Sequence, residues 1–198
     1  MSSVKEHAAE LHEREDTTRF GFWIYLLSDV MVFGALFATF MVLRHNTAGG
    51  ATGADIVDPP YVLLQTVVLL GSSFTAAVAL LAAKTGRLRD MKLYLWATFI
   101  LGLLFLGLEI REFTVMVADG HSWRESAFLS SFFALVGTHG FHILMGLIWL
   151  AVWLGYYAKR GLDGNMMRRL GLFVLFWHFL DIVWIWIFTI VYMFGVAL

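Results

Sequence analysis

Cysteine is absent from this 198-residue chain, which also holds only two prolines and few charged residues. Without cysteine there is no disulfide, no thiolate metal ligand and no thiol nucleophile. Charged residues make up 15% of the sequence, whereas an ordinary soluble domain has about 25%. The net charge of −1 gives no basic footprint for nucleic acid, so we expect no nucleic-acid partner.

Apolar side chains are abundant instead. The sequence is 60% hydrophobic and 16% aromatic, and its mean hydropathy is +0.75. One small soluble domain cannot bury that much apolar surface. The apolar residues form long continuous runs, whereas the strands of membrane barrels alternate over about ten residues. The composition therefore predicts an all-α integral membrane protein.

The apolar runs predict a bundle of five transmembrane helices. Residues 1–19 are polar and acid-rich and lack the basic start and short apolar core of a secretory signal, so we expect a cytoplasmic polar tail there. The membrane domain then covers residues 20–198. Its spans are expected at about 20–43, 61–83, 93–117, 127–157 and 171–197.

The distribution of basic residues predicts the orientation of the bundle. Because five spans alternate direction, the tail lies on the same side as the loops at 84–92 and 158–170. These three segments carry eleven of the fourteen lysines and arginines, while Arg44, Arg111 and Arg124 lie towards the other side. Cytoplasmic loops are enriched in basic residues. We therefore expect a cytoplasmic N-terminus and a periplasmic C-terminus.

A small set of ionisable side chains falls inside the predicted spans, where an isolated charge costs a few kcal/mol or more. By residue count, five of them lie at similar depth and are expected to form one buried polar layer. These five are Asp29, His139, His142, His178 and Asp181. Two more, Glu109 and Glu112, lie nearer the outer end of the third span, where Arg111 is expected to pair with them.

The spacing of these residues leaves two interpretations open. His139 and His142, His178 and Asp181, and Glu109 and Glu112 are each three apart, so each pair shares a helix face. Such groups bind metal or hold protons in some proteins, and in others they only hydrogen-bond helices together. Small residues at intervals of four along the fourth span, up to Gly146, favour close approach of another helix. Composition and spacing indicate a bundle with a polar interior but assign no activity.

Several motifs in a fixed order resemble subunit III of the haem–copper oxidases in its five-helix form. They are FGFWIYLLSDVMVFGALFATF (20–40), LLGSS (69–73), FLGLEIREF (105–113), FFALVGTHGFHILMG (132–146) and FWHFLDIVWIWIFTIVY (176–192). The loop NTAGGATGADI (46–56) is similar to that of the cytochrome bo-type quinol oxidase branch. The resemblance covers residues 20–198 almost without gaps. The seven-helix members of the family have two further N-terminal helices, which this chain lacks.

The resemblance implies a non-catalytic subunit of a proton-pumping ubiquinol oxidase in the bacterial inner membrane. Such a subunit stabilises the haem–copper catalytic subunit I and supports proton uptake. It carries no catalytic, cofactor-binding or metal site; the haems and copper lie in the partner. The other partners implied are further oxidase subunits and membrane phospholipids. Six residues fall on shared family motifs as structural or proton-holding groups: Asp29, Glu109, His139, His142, His178 and Asp181. Asp29 lies where the family has an acidic residue in an SE/SD motif, and Glu112 is a further candidate of the same kind.

Three alternatives stay open at this point. The chain also fits an accessory subunit of a cytochrome c oxidase. It fits one of a nitric oxide reductase as well, since related five-helix proteins accompany those reductases. An independent small membrane transporter also accounts for buried carboxylates. The sequence shows neither repeated halves nor interrupted helices, which many transporters have.

Overall fold

A computed structural model describes residues 2–50 and 52–194, and it describes side-chain surroundings for residues 17–50, 52–53, 56–159 and 161–194. Within these residues the chain is almost entirely helical and contains no strand. Five helices are long and apolar enough to cross a membrane. The prediction of an all-α bundle with five spans is therefore confirmed.

The helices follow one another with short connections, apart from one longer loop after the first. Five are long, and α2 is a single turn within that loop. Their bounds are α1 Ser2–Leu43, α2 Gly53–Ile56, α3 Pro59–Lys84, α4 Leu88–Ala118, α5 Ala127–Arg160 and α6 Gly164–Ile187. A π-helical segment, Phe188–Met193, continues α6. The predicted end of the last span, at residue 197, lies outside the described residues.

The helix ends follow local sequence signals. Asp58 precedes Pro59 and Pro60 in the first turn of α3, where a missing N–H costs nothing. The Ser126 hydroxyl accepts a hydrogen bond from the Leu129 amide at the start of α5, as N-cap residues do. Gly86, with φ +73°, ends α3.

Two observed bounds extend beyond the apolar runs. The structure continues α1 back to Ser2, through the segment that the sequence places in a polar tail. The α5 helix has 34 residues, which corresponds to about 50 Å, against a hydrocarbon core of about 30 Å. The helix is therefore tilted, or its ends project beyond the hydrocarbon core, as the length of the fourth apolar run predicts.

The loops gather at the two ends of the bundle. At one end, the Lys92 ammonium lies 5.1 Å from the centre of the Tyr157 ring, which joins the start of α4 to the end of α5 beside the two basic connections. At the other end, the Phe128 amide donates to the Asn46 carbonyl at 3.2 Å, which joins the first loop to the start of α5. The basic loops therefore share one end of the bundle, as alternating spans require.

Four helices form a ring, and the first packs outside it. Extensive contacts join α3 to α4, α4 to α5, α5 to α6 and α6 back to α3. The α1 helix packs on α5 and α6, and its described residues make no comparable contact with α3 or α4. Most of the ionisable residues predicted inside the spans lie where these helices meet. The packing within the ring, and of α1 against α5 and α6, therefore determines which of these residues are in contact.

Candidate functional site

Asp29 and His142 meet across the seam between α1 and α5. Asp29 Oδ1 lies 3.8 Å from His142 Nε2, and both side chains are largely buried. His142 Nδ1 lies 2.7 Å from the Thr138 carbonyl oxygen. Because a carbonyl oxygen only accepts, Nδ1 carries the hydrogen and Nε2 faces the carboxylate. The pair is therefore a polar link between helices, at a distance too long for a direct hydrogen bond.

His139, one helical turn from His142, has different surroundings. Its side chain is 0% exposed, and neither ring nitrogen has a hydrogen-bond partner among the described residues. The imidazole lies between aromatic rings, with centroid distances of 6.4 Å to Phe33, 5.9 Å to Phe105 and 5.2 Å to Trp184. His139 is thus packed as a ring inside the aromatic core.

Glu109 is buried against the backbone of α5. Its side chain is 2% exposed, and neither carboxyl oxygen has a hydrogen-bond partner in the described part of the chain. A Cβ atom at Gly140 would lie 2.7 Å from both oxygens. Glycine at position 140 is therefore what admits a carboxyl group at this helix crossing.

Glu112 lies one turn further along α4 and has a partner in α3. It accepts a hydrogen bond of 2.9 Å from the Gln65 side-chain amide. The buried Tyr192 hydroxyl, from the π-helical segment, lies near both Glu112 and Glu109. Arg111, expected to pair with the two glutamates, instead lies over the Tyr61 ring at 5.3 Å. The glutamates therefore face the interior while the arginine faces outwards.

His178 and Asp181 share a helix but interact with different neighbours. His178 Nδ1 lies 2.7 Å from the Val174 carbonyl oxygen of its own helix. The Asp181 carboxyl lies near Ser73 of α3 and near His178, while its Oδ1 atom has no partner in the described residues. The five residues expected in one layer thus differ in their polar contacts, although His139 and His142 both lie against the Phe33 ring.

Two tryptophans of α6 join the ring of helices, and composition and spacing did not single them out. Trp177 Nε1 donates to the Ser72 hydroxyl at 3.0 Å, and Trp184 Nε1 donates to the Thr66 hydroxyl at 3.0 Å. Cβ atoms built at Gly102 of α4 and Gly146 of α5 would lie 3.0 Å and 2.8 Å from the Trp177 ring. The small-residue stripe ending at Gly146 therefore receives an indole ring at that position. The N–H group of a buried tryptophan needs a hydrogen-bond acceptor. The serine and threonine residues of a neighbouring span are such acceptors, and they were the sequence signal from which these two contacts could have been predicted.

Several of the interior polar groups connect neighbouring helices. Within the residues described, no group of three or more His, Asp or Glu side chains is arranged to hold a metal ion. The Nδ1 atoms of His142 and His178 are engaged with backbone carbonyls. The observed polar contacts join α1 to α5, α3 to α4 and α3 to α6, as interhelical hydrogen bonds do in membrane bundles.

Comparison with known proteins gives a consistent family assignment. The sequence model of the family described as cytochrome c oxidase subunit III matches residues 5–196. Cytochrome bo(3) ubiquinol oxidase subunit 3 of Pseudomonas aeruginosa is 48% identical, over 93% of this chain and 88% of that protein. The protein of the same description from Pseudomonas putida is 43% identical, over 93% and 89%. Cytochrome c oxidase subunit 3 of a Bacillus species is 41% identical, over 89% and 86%.

Proposed function

Because the chain belongs to the cytochrome c oxidase subunit III family, we propose that it is the non-catalytic subunit III of a bacterial ubiquinol oxidase. In that complex the partner catalytic subunit holds the haems and copper, oxidises ubiquinol and reduces oxygen to water while protons move outwards. This chain stabilises that subunit and supports its proton uptake. The complex lies in the inner membrane, with the basic loops in the cytoplasm and the C-terminus in the periplasm.

Similarity over 93% of this chain to two proteins named as ubiquinol oxidase subunit 3, at 48% and 43% identity, carries this proposal. The interior contacts are consistent with a supporting subunit. Several buried polar groups hydrogen-bond between helices, as Gln65 does with Glu112 and Trp177 does with Ser72. Such contacts hold a bundle together.

A deletion tests the supporting role. The oxidase is purified from cells with and without this chain, and ubiquinol oxidation is followed with an oxygen electrode over many turnovers. We expect the complex without the chain to keep its haem spectrum and initial rate but to lose activity sooner. Re-expression of the chain should restore durable turnover. Equal durability in the two preparations would contradict the proposal, and so would a haem spectrum from this chain alone.

A second electron donor has a specific observation in its favour. The Bacillus relative at 41% identity is named as a cytochrome c oxidase subunit, so family membership is compatible with either donor. The intact complex is assayed with ubiquinol and with reduced cytochrome c in parallel. Rapid turnover with ubiquinol alone supports the quinol assignment, and turnover with cytochrome c alone overturns it.

A further inference from the structure

A furrow runs between α4 and α5 at the basic end of the bundle. Its volume is about 410 Å³, and its lining includes Lys92 and Tyr157 at the mouth and Phe99 and Ala151 at the inner end. Lys92 and Phe99 are seven residues apart on α4, which corresponds to about 10 Å along the helix. One leaflet of the hydrocarbon core is about 15 Å thick, so the furrow covers much of one leaflet and stops there.

The walls of the furrow are apolar and open. Trp96 on α4 is 52% exposed beside it. Gly155 on α5 also lines it, and a Cβ atom built there meets nothing within 4 Å. Below the furrow the two helices touch, since a Cβ atom at Gly102 would lie 2.9 Å from Leu147. The space therefore has the form of a slot for a chain that enters from the membrane surface.

The single charge of the lining lies at the mouth of this slot. Lys92 is exposed, and its ammonium lies 5.1 Å from the centre of the Tyr157 ring. In the described part of the chain Lys92 forms no ion pair, whereas Arg87 nearby is paired with Asp90. Basic pockets between transmembrane helices bind the headgroups of anionic lipids. A positive charge above an apolar slot matches an anionic head above an acyl tail.

The grooves between α1 and α6 lack this combination. Their lining is apolar except for His178, whose Nδ1 atom is already engaged with the Val174 carbonyl. A transmembrane helix of a partner would require contact along about 30 Å of seam, and the furrow at Lys92 is much shorter. A second cavity further along α4 and α5, beside Glu109, is separated from it by the close approach of Gly102 and Leu147. The length and charge of the furrow therefore favour a lipid over a helix.

We propose that the furrow between α4 and α5 binds one anionic phospholipid, with its phosphate at Lys92 and one acyl chain along Trp96, Phe99, Ala151 and Gly155. The lipid lies in the leaflet next to the basic loops. Bound there, it fills the open space beside Gly155 and joins the basic ends of α4 and α5. This site does not depend on which electron donor the oxidase uses.

Native mass spectrometry of the intact complex tests the site. The delipidated complex is equilibrated with vesicles of phosphatidylcholine and phosphatidylglycerol, and the lipids retained per complex are counted. We expect Lys92→Gln to reduce the preference for phosphatidylglycerol about fivefold, since one basic residue near the surface contributes about 1 kcal/mol. Gly155→Leu should remove one retained lipid, because its side chain would extend into the slot from a Cβ position with no neighbour within 4 Å.

Two control variants match these changes. Lys84→Gln removes a positive charge at the same end of the bundle, outside the furrow lining. Gly107→Leu adds the same side chain to an open position of α4. Both should retain lipid like the unaltered complex. Unchanged lipid retention in Lys92→Gln and Gly155→Leu would overturn the proposal. Loss of another subunit with Gly155→Leu would also overturn it, by placing a partner in the furrow.

Discussion

At the scale of single residues, the interior is defined by which polar atoms find partners. Asp29 and His142 form a contact between helices, and Glu112 has the Gln65 amide. Glu109 and His139 are at least as deeply buried, yet they have no hydrogen-bond partner in the described residues. The Glu109 carboxyl lies directly against the backbone of α5, so a residue without a side chain is required at that crossing. Gly140 is this residue.

Replacing Gly140 by alanine should destabilise the protein. The new Cβ atom would lie 2.7 Å from both Glu109 oxygens, and overpacking of this kind typically costs about 1–3 kcal/mol. Gly137→Ala is the matched control, because its Cβ atom would meet Phe113 at an ordinary 3.7 Å. The thermal midpoint of the solubilised complex measures both variants. Equal midpoints would show that Glu109 moves away without cost.

The contact between Asp29 and His142 should appear as a coupling energy. In a double-mutant cycle with Asp29→Ala and His142→Ala, we expect the two effects on stability to be non-additive by about 0.5–3 kcal/mol. A second cycle pairs Asp29→Ala with Thr98→Ala, since Thr98 lies on α4 and bonds Thr75 of α3. That cycle should be additive. Additivity in both cycles would mean that the α1–α5 contact contributes nothing.

At the scale of helices, α6 organises the bundle through its tryptophans. Trp177 is 1% exposed and donates to Ser72 of α3. Gly102 and Gly146 leave room for its indole ring on α4 and α5. One side chain therefore bonds or packs against all three other helices of the ring. Hydrophobic force between helices is weak in lipid, so such packing and hydrogen bonds are what hold a membrane bundle together.

Trp177→Phe should therefore weaken the whole ring. The variant loses the hydrogen bond to Ser72 and part of the ring contact, and we expect a loss of about 2 kcal/mol. Trp186→Phe on the same helix is the control, since Trp186 is 58% exposed. Thermal unfolding of the purified complex, followed by the release of this chain, compares the two. Equal release temperatures would contradict the role given to Trp177.

At the scale of the whole molecule, the two ends of the bundle differ in charge. The end at which Lys92 contacts Tyr157 carries most of the basic residues. At the opposite end, the loop that contains Asn46 is hydrogen-bonded to Phe128. In the proposed orientation, with the basic end in the cytoplasm, the anionic phospholipid proposed at Lys92 lies in the inner leaflet. Orientation and lipid binding thus depend on the same asymmetry.

The absence of cysteine makes this orientation simple to test. The substitutions Asp119→Cys and Thr85→Cys each introduce a single cysteine at an exposed position, and the two positions lie on opposite ends of the bundle. In spheroplasts, a membrane-impermeant maleimide should label Asp119→Cys directly and Thr85→Cys only after permeabilisation. The reverse pattern would invert the proposed orientation. The unaltered chain has no cysteine to label and serves as the blank.

The class of protein and the number of spans follow from the amino-acid sequence alone. Hydrophobicity is a local property, so a run of apolar residues predicts a membrane span without knowledge of its neighbours. Helical periodicity is also a local property, so residues three apart on one helix are expected on the same face. Glu109 and Glu112 follow this expectation, since both are buried in the structure. The motif order also indicated the family to which the chain belongs.

Only the tertiary structure decided which side chains meet. His139 and His142 share a helix face, yet one contacts Asp29 and the other lies between aromatic rings. Arg111 lies over Tyr61 although two glutamates are its neighbours in sequence. Such pairings depend on how each helix is rotated and shifted against the next. That arrangement results from many weak contacts between distant residues, as between Trp177 and the two glycines, which no local pattern encodes.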